Sequence, residues 1–238
     1  MSYNKSSIDQ EELDKFNQPN QDWWDLEGEF KPLHEINPVR MEYIQSVIRQ
    51  KFGEAKGLDV LDVGCGGGLS SVSMANAGCN VTGLDANKRN IDSASKYANS
   101  KGLEITYINT TIEEYVQSSE QYDVILCLEV IEHVAHPEEF IRNVAKLVKK
   151  GGTVIFSTIN RTHKAYLLAI IMAEYVLRWV PRKTHNYSKF VKPSEFANMA
   201  QDTSLSLQEL KGLSLSPITQ NWYISDDIDV NYFVVFSN

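Results

Sequence analysis

At 238 residues, with 42% hydrophobic and 23% charged positions, the chain has a globular composition and enough length for one large α/β domain or two small ones. A net charge of -8 and a pI near 5.2 argue against a nucleic-acid binder, which needs a broad surplus of Lys and Arg to neutralise phosphates. Cys65, Cys79 and Cys127 are odd in number with no CxxC spacing, so neither a disulfide framework nor a thiolate zinc site is suggested, and a reducing, cytosolic compartment fits best.

The opening MSYNKSSIDQEELDKF is polar, lacks the apolar core of a secretory signal and is too acidic for a transit peptide; residues 1–15 are expected to be mobile. No repeat, low-complexity tract or Pro/Gly/Ser-rich linker divides the chain, so a single domain over 1–238 is expected. Trp23 and Trp24 stand in a polar stretch with little helical or strand periodicity, as expected of a lid whose aromatics cover a ligand; plain core packing is the alternative. Arg40 follows Asn37-Pro38, read as the opening of a helix, where a guanidinium can form a paired contact with a carboxylate, or simply face solvent.

Short β-branched runs then recur at 58–63, 80–85, 104–108, 123–128 and 153–158, separated by helix-compatible segments. Strand and helix in alternation predict a mostly parallel sheet with helices on both faces. The first run ends in LDVGCGGGLSS: Asp62, then Gly64, Gly66, Gly67 and Gly68, then a helical stretch. Glycines at a strand-to-helix turn permit positive φ and close approach of a ligand, and the helix offers free N–H groups. A pyrophosphate gains nothing from a carboxylate two residues before the first glycine, whereas the sulfonium and amino group of S-adenosylmethionine (SAM) do, so SAM is preferred over NAD. Asp85 closes the second run, where an acid can accept hydrogen bonds from both hydroxyls of a ribose. The bland alternative for the pair is tight-turn chemistry alone.

Asp62, Gly64, Gly66, Gly68 and Asp85 together resemble the SAM-binding half of class I methyltransferases over about residues 57–160. The resemblance implies a Rossmann-like, seven-stranded, mostly parallel sheet with its last strand antiparallel, for which 207–215 and 230–237 can supply a closing pair, and it puts Leu128 at the tip of the fourth strand beside the cofactor. Further motifs narrow the family. WWD, EGEFKPLH and INPVR at 23–40, LEVIEHV at 128–134 and DVNYF at 229–233 are similar to the ubiquinone-biosynthesis O-methyltransferases, a likeness running from about Phe16 to Phe233. Glu35 departs from it, a basic residue being expected there. That family methylates polyprenylated phenols and catechols, and the resemblance assigns Arg40 to the cofactor.

LEVIEHV is where acceptor chemistry is expected. A phenol, with a pKa of about 10, is a poor nucleophile until its proton is removed or its anion stabilised. His133 can act as general base, or a divalent cation can favour phenolate. If a helix follows the fourth strand, Glu129, Glu132 and His133 stand at i, i+3 and i+4 on one face and could share one Mg²⁺ or Mn²⁺, as the resemblance also implies. Without a metal, Glu132 would cap a loop and His133 would pack beside the cofactor pocket. His136, before Pro137, reads as a loop residue.

After the fifth strand the sequence predicts an insertion over 164–192. Its AYLLAIIMAEYVLRWV stretch (165–180) contains only Glu174 and Arg178 as charges and is too short to span a bilayer, which needs about 20 apolar residues. Arg182, Lys183, His185, Lys189 and Lys192 follow it. An apolar helix with Tyr175 and Trp179 beside such a cluster suits an anionic membrane surface, implying a cytoplasmic protein held peripherally at the inner face; a buried or dimer-interface helix is the alternative. The implied substrates are 2-polyprenyl-6-hydroxyphenol and 3-demethylubiquinol, with other ubiquinone-biosynthesis proteins as possible partners. A C-methyltransferase, an NAD oxidoreductase and a non-catalytic SAM- or quinone-binding scaffold remain as rivals.

Overall fold

The computed structural model describes residues 22–168 and 186–238. Among these, β1 (Asp59–Val63), β2 (Asn80–Asp85), β3 (Ile105–Asn109), β4 (Tyr122–Leu128), β5 (Val148–Ile159), β6 (Ser206–Leu215), β7 (Trp222–Ser225) and β8 (Asn231–Ser237) form one sheet in the order β3-β2-β1-β4-β5-β8-β6-β7. β1 to β5 are mutually parallel, and β8, β6 and β7 add to the β5 edge through antiparallel pairings. The order reverses at β1, between β2 and β4, and the crevice outside the carboxyl ends of those strands is where an open α/β sheet accepts ligands.

Alternation along the strands builds two cores. Leu61, Ile125, Cys127, Val154 and Phe156 face Phe140, Ile141, Val144 and Leu147 of helix α5 (Pro137–Leu147) and Phe196 of α6 (Pro193–Ala200). The intervening Val60, Val124, Leu126 and Ile155 face Met41, Ile44, Val47 and Ile48 of α1 (Lys31–Phe52) and Met74 of α2 (Leu69–Asn76). Successive strand side chains point to opposite faces, so a strand buried on both sides reads as a continuous apolar run, as Val124–Leu128 of β4 does. α3 (Lys88–Ser100) follows β2, and α4 (Ile112–Tyr115) follows β3.

The mostly parallel α/β architecture matches the sequence reading, with eight strands in place of seven. The closing pair expected at 207–215 and 230–237 is present as β6 and β8, and the additional β7 pairs with β6 across a turn closed by Ser216 N–H donating to Asn221 O at 2.9 Å. β7 is only four residues long and its Tyr223 is exposed, so it lacks the apolar run that announces a buried strand. A second difference concerns Arg40: the helix begins at Lys31, led by Pro32, and Pro38 lies inside it, so Arg40 sits mid-helix rather than at an opening.

The ends of the insertion are pinned to the sheet. Asn160 donates from its backbone to Val230 O (2.7 Å) and from Nδ2 to Ile228 O (2.9 Å), and Thr162 Oγ1 donates to Asp229 O (2.6 Å). Lys164 pairs with Asp227 and Asp229. On the return, Val191 N–H donates to Ile159 O (3.2 Å), and the buried Tyr232 hydroxyl donates to Val191 O (2.7 Å). Residues 1–15 and most of the apolar segment, with Glu174, Tyr175, Arg178, Trp179, Arg182, Lys183 and His185, lie outside the described residues. Among those described, no helix is long and apolar enough to cross a membrane.

Candidate active site

At the carboxyl end of β1 the chain turns through Gly64 (φ 70°), Gly66 (φ 54°) and Gly68 (φ 87°), all in the left-handed region that side chains with a Cβ avoid. Space is a second constraint. A Cβ on Gly64 would lie 2.5 Å from Val130 Cγ2, one on Gly66 would lie 2.5 Å from the Trp23 ring, and those on Gly67 and Gly68 would strike Trp23 and the Tyr107 hydroxyl. The glycines were expected to admit a ligand; in the structure the space is taken by the chain's own side chains.

Two carboxylates flank this loop. Asp62 is buried and accepts from Ser71 Oγ at 2.6 Å; burial pushes its pKa up to about 6, although Ser71 and Arg40 both favour its charged form. Asp85 closes β2 and accepts from Gly66 N–H (2.9 Å), Asn87 N–H (2.7 Å) and Asn90 Nδ2 (3.2 Å); burial raises its pKa while these donors oppose the rise. Arg40 reaches the same region from α1. Only 5% exposed, it is lowered in pKa by burial and raised by the nearby charges of Glu129 and Asp62. Its Nη2 donates to Asn37 Oδ1 at 3.2 Å, and its Nε is buried with no hydrogen-bond partner. A buried donor left unpaired is costly, and an anionic ligand group at this place would satisfy it.

Trp23 and Trp24 cap the loop. Trp23 stacks on Phe30 with centroids 3.8 Å apart and donates Nε1–H to Asn90 Oδ1 at 2.9 Å. Trp24 donates to Gly67 O at 3.0 Å and stacks on Tyr97 of α3. His34 of α1 bonds Trp23 O at 2.8 Å, tying the segment to α1. Both tryptophans therefore pack over the glycine loop.

The LEVIEHV stretch departs from expectation. Leu128 ends β4 in register with Ser157, but Glu129 then takes a left-handed conformation (φ 56°), and Ile131–His133 form a single 3-10 turn before α5 starts at Pro137. The continuous helical face on which Glu129, Glu132 and His133 would converge does not form, because the chain must turn off a buried strand before it can wind. Among the described residues no group of three or more His, Cys, Asp and Glu is arranged to hold a metal ion. The two carboxylates do meet. Ser157 Oγ donates to Glu129 Oε1 (2.6 Å) and Thr158 Oγ1 to Glu132 Oε2 (2.9 Å). Glu132 is 5% exposed, and burial, reinforced by the Glu129 charge and contact, lifts its pKa well above the usual carboxylate range. A close carboxylate pair suits a divalent cation or a shared proton; His133, half-buried, closes the same 3-10 turn.

Sequence reasoning passed over Ser71, Asn87, Asn90, Ser157 and Thr158, which hold the four carboxylates. Each is a small polar residue of a kind common in caps and loops. Only Asn87 had a recognisable signal, as the N-cap of α3 accepting from Arg89 N–H at 2.9 Å.

Comparison with known proteins agrees with this geometry. A methyltransferase domain family matches residues 38–210. The ubiquinone biosynthesis O-methyltransferase of Rickettsia felis is 52% identical over 229 residues, 96% of this chain and 93% of the relative, and that of Rickettsia akari is 51% identical over 230 residues, 96% and 91%. Among solved structures, a SAM-bound magnesium protoporphyrin IX methyltransferase from Synechocystis superposes with a TM-score of 0.63 at 19% identity, covering 95% of this chain and 94% of that one. The plantazolicin methyltransferase in complex with S-adenosylhomocysteine gives 0.69 at 16% identity, covering 95% and 93%. The structural likeness supports the class I methyltransferase fold, and the half-identical relatives narrow it: this chain belongs to the ubiquinone biosynthesis O-methyltransferase family, whose members are SAM-dependent.

Proposed function

We propose that the protein transfers the methyl group of SAM to phenolic hydroxyls of polyprenylated ubiquinone precursors, 2-polyprenyl-6-hydroxyphenol and 3-demethylubiquinol. The observation that carries this reading is the buried, partly unpaired Arg40 guanidinium beside Asp62 at a glycine loop closed by Asp85. Arg40 would hold the SAM carboxylate, Asp62 its amino group and sulfonium, Asp85 the ribose hydroxyls, and the Gly64 and Gly66 backbone the methionyl moiety, with Leu128 packed alongside. In the transfer, a phenol oxygen lone pair forms the new O–C bond in line with the breaking C–S bond, whose electrons return to sulfur. The phenol proton goes to His133 as base. Placement of the oxygen about 3 Å behind the methyl carbon is the main task of the site.

The cation reading rests on Glu129 and Glu132, whose contact and raised Glu132 pKa fit a position where positive charge is wanted. Bound there, Mg²⁺ or a similar ion would supply Lewis-acid stabilisation of phenolate. Peripheral attachment at the cytoplasmic face of a membrane is supported by Tyr166, Leu167 and Leu168, which are exposed where the apolar segment begins, and by a substrate tail that partitions into lipid. Contacts with other ubiquinone-biosynthesis proteins would follow from a shared membrane-held substrate.

The test is incubation of purified protein with labelled SAM and a short-chain 2-polyprenyl-6-hydroxyphenol, with EDTA and with Mg²⁺ restored. Methyl ether formation is expected, abolished by EDTA and recovered with Mg²⁺. Formation indifferent to EDTA removes the cation and leaves His133 as base; no methyl ether under any condition overturns the acceptor assignment.

A further inference from the structure

We infer that Asn90 couples occupancy of the Asp85 carboxylate to the lid, so that a ribose binding at Asp85 releases Trp23 from the glycine loop. The inference rests on the reading of Asp85 as the ribose acceptor.

A carboxylate offers about four lone-pair directions for hydrogen bonds. Three at Asp85 are filled: Asn87 N–H and Asn90 Nδ2 donate to Oδ1 at 2.7 and 3.2 Å, and Gly66 N–H donates to Oδ2 at 2.9 Å. A vicinal diol brings two O–H donors and finds one vacant direction. One resident donor must yield. Asn87 N–H and Gly66 N–H are backbone groups fixed by a helix cap and by the glycine turn, whereas Asn90 Nδ2 is a side-chain donor at the longest of the three distances.

The other end of that amide holds the Trp23 indole: Asn90 Oδ1 accepts from Trp23 Nε1–H at 2.9 Å. The amide is planar and rigid, so swinging Nδ2 away from Asp85 carries Oδ1 away from Trp23. Trp23 lies flat against the loop that the cofactor must approach, because a Cβ on Gly66 or Gly67 would collide with its ring. Ligand and lid thus compete through one side chain. Coupling of this kind is reciprocal, so weakening the Trp23 tie strengthens ligand binding by the factor with which the ligand weakens the tie.

Trp23→Phe keeps an aromatic ring for Phe30 to stack on, and it removes the indole donor together with part of the ring surface that lies on the glycine loop. Calorimetric titration with S-adenosylhomocysteine is expected to show about three- to tenfold tighter binding in this variant, the scale of one net hydrogen bond. Amide hydrogen exchange over residues 22–30 of the wild-type protein is expected to speed up on addition of the same ligand. Equal or weaker binding by Trp23→Phe, or slower wild-type exchange in that segment, would make the lid a cover that grips the ligand and would overturn the coupling. Absence of binding in both proteins would instead remove the cofactor reading, and the coupling with it.

Discussion

Asp59 and Asp62 stand at opposite ends of β1 and meet opposite surroundings. Asp59 accepts from Lys149 Nζ at 2.7 Å and Asn80 Nδ2 at 3.1 Å, and these contacts pull its pKa down. Lys149 also bridges to Asp123 at 3.0 Å, so the amino end of the sheet neutralises its own charges in partly solvated pairs. At the carboxyl end, Asp62 and Asp85 are pushed up by burial, and one guanidinium faces the Asp62 and Glu129 charges together. The first arrangement is complete within the chain. The second has acceptors to spare and an unpaired Arg40 Nε, the condition of a site whose missing partners come with a ligand.

The contrast can be broken most severely at Asp85. Replacing it with Ala removes two charge-assisted hydrogen bonds to a ribose, and S-adenosylhomocysteine affinity measured by calorimetry is expected to fall about 100-fold or more. Asp62→Asn has two opposed effects. Because the folded pKa of about 6 exceeds the ordinary 3.8, the native protein binds more protons than the unfolded chain between these values, so wild-type stability falls as pH rises through that window. Urea unfolding of Asp62→Asn should lack that fall and show a gain of up to about 3 kcal/mol at pH 7. SAM affinity should drop about tenfold and lose the rise expected of the wild type as pH increases through about 6, where Asp62 ionises and meets the ligand's cation. Lys149→Met supplies the small effect: loss of a partly exposed pair is expected to cost about 0–1 kcal/mol of stability with SAM affinity unchanged. A large loss of SAM binding in this last variant would erase the distinction between the two ends of the sheet.

Much of this was legible in the sequence. Short apolar runs at Val60–Leu61, Val124–Leu128 and Val154–Phe156 mark the stretches of β1, β4 and β5 that are buried on both faces, and Asp62, the glycines and Asp85 stand at the carboxyl ends of β1 and β2, where an open parallel sheet accepts ligands. Less legible were features set by three-dimensional proximity. The i, i+3, i+4 spacing of Glu129, Glu132 and His133 suggested a helix, but left-handed Glu129 and a one-turn 3-10 segment intervene, and partners from β5, Ser157 and Thr158, decide where the carboxylates point. Trp23 gave no periodicity to read, since its position is set by Phe30, Asn90 and the glycine loop rather than by its neighbours in sequence.

The two posts of the insertion have an evolutionary consequence. Ile159 and Val191 are joined by a backbone hydrogen bond, and Asn160, Thr162 and Lys164 fasten the outgoing strand end to residues 227–230. The chain between the posts begins and ends at nearly the same place, so the loop-closure cost of a change in its length is about 0.6 kcal/mol per doubling. Such a stretch is exchangeable cargo on a constant chassis. Its length can change while the registers of β1 with β2 and β4 stay as they are.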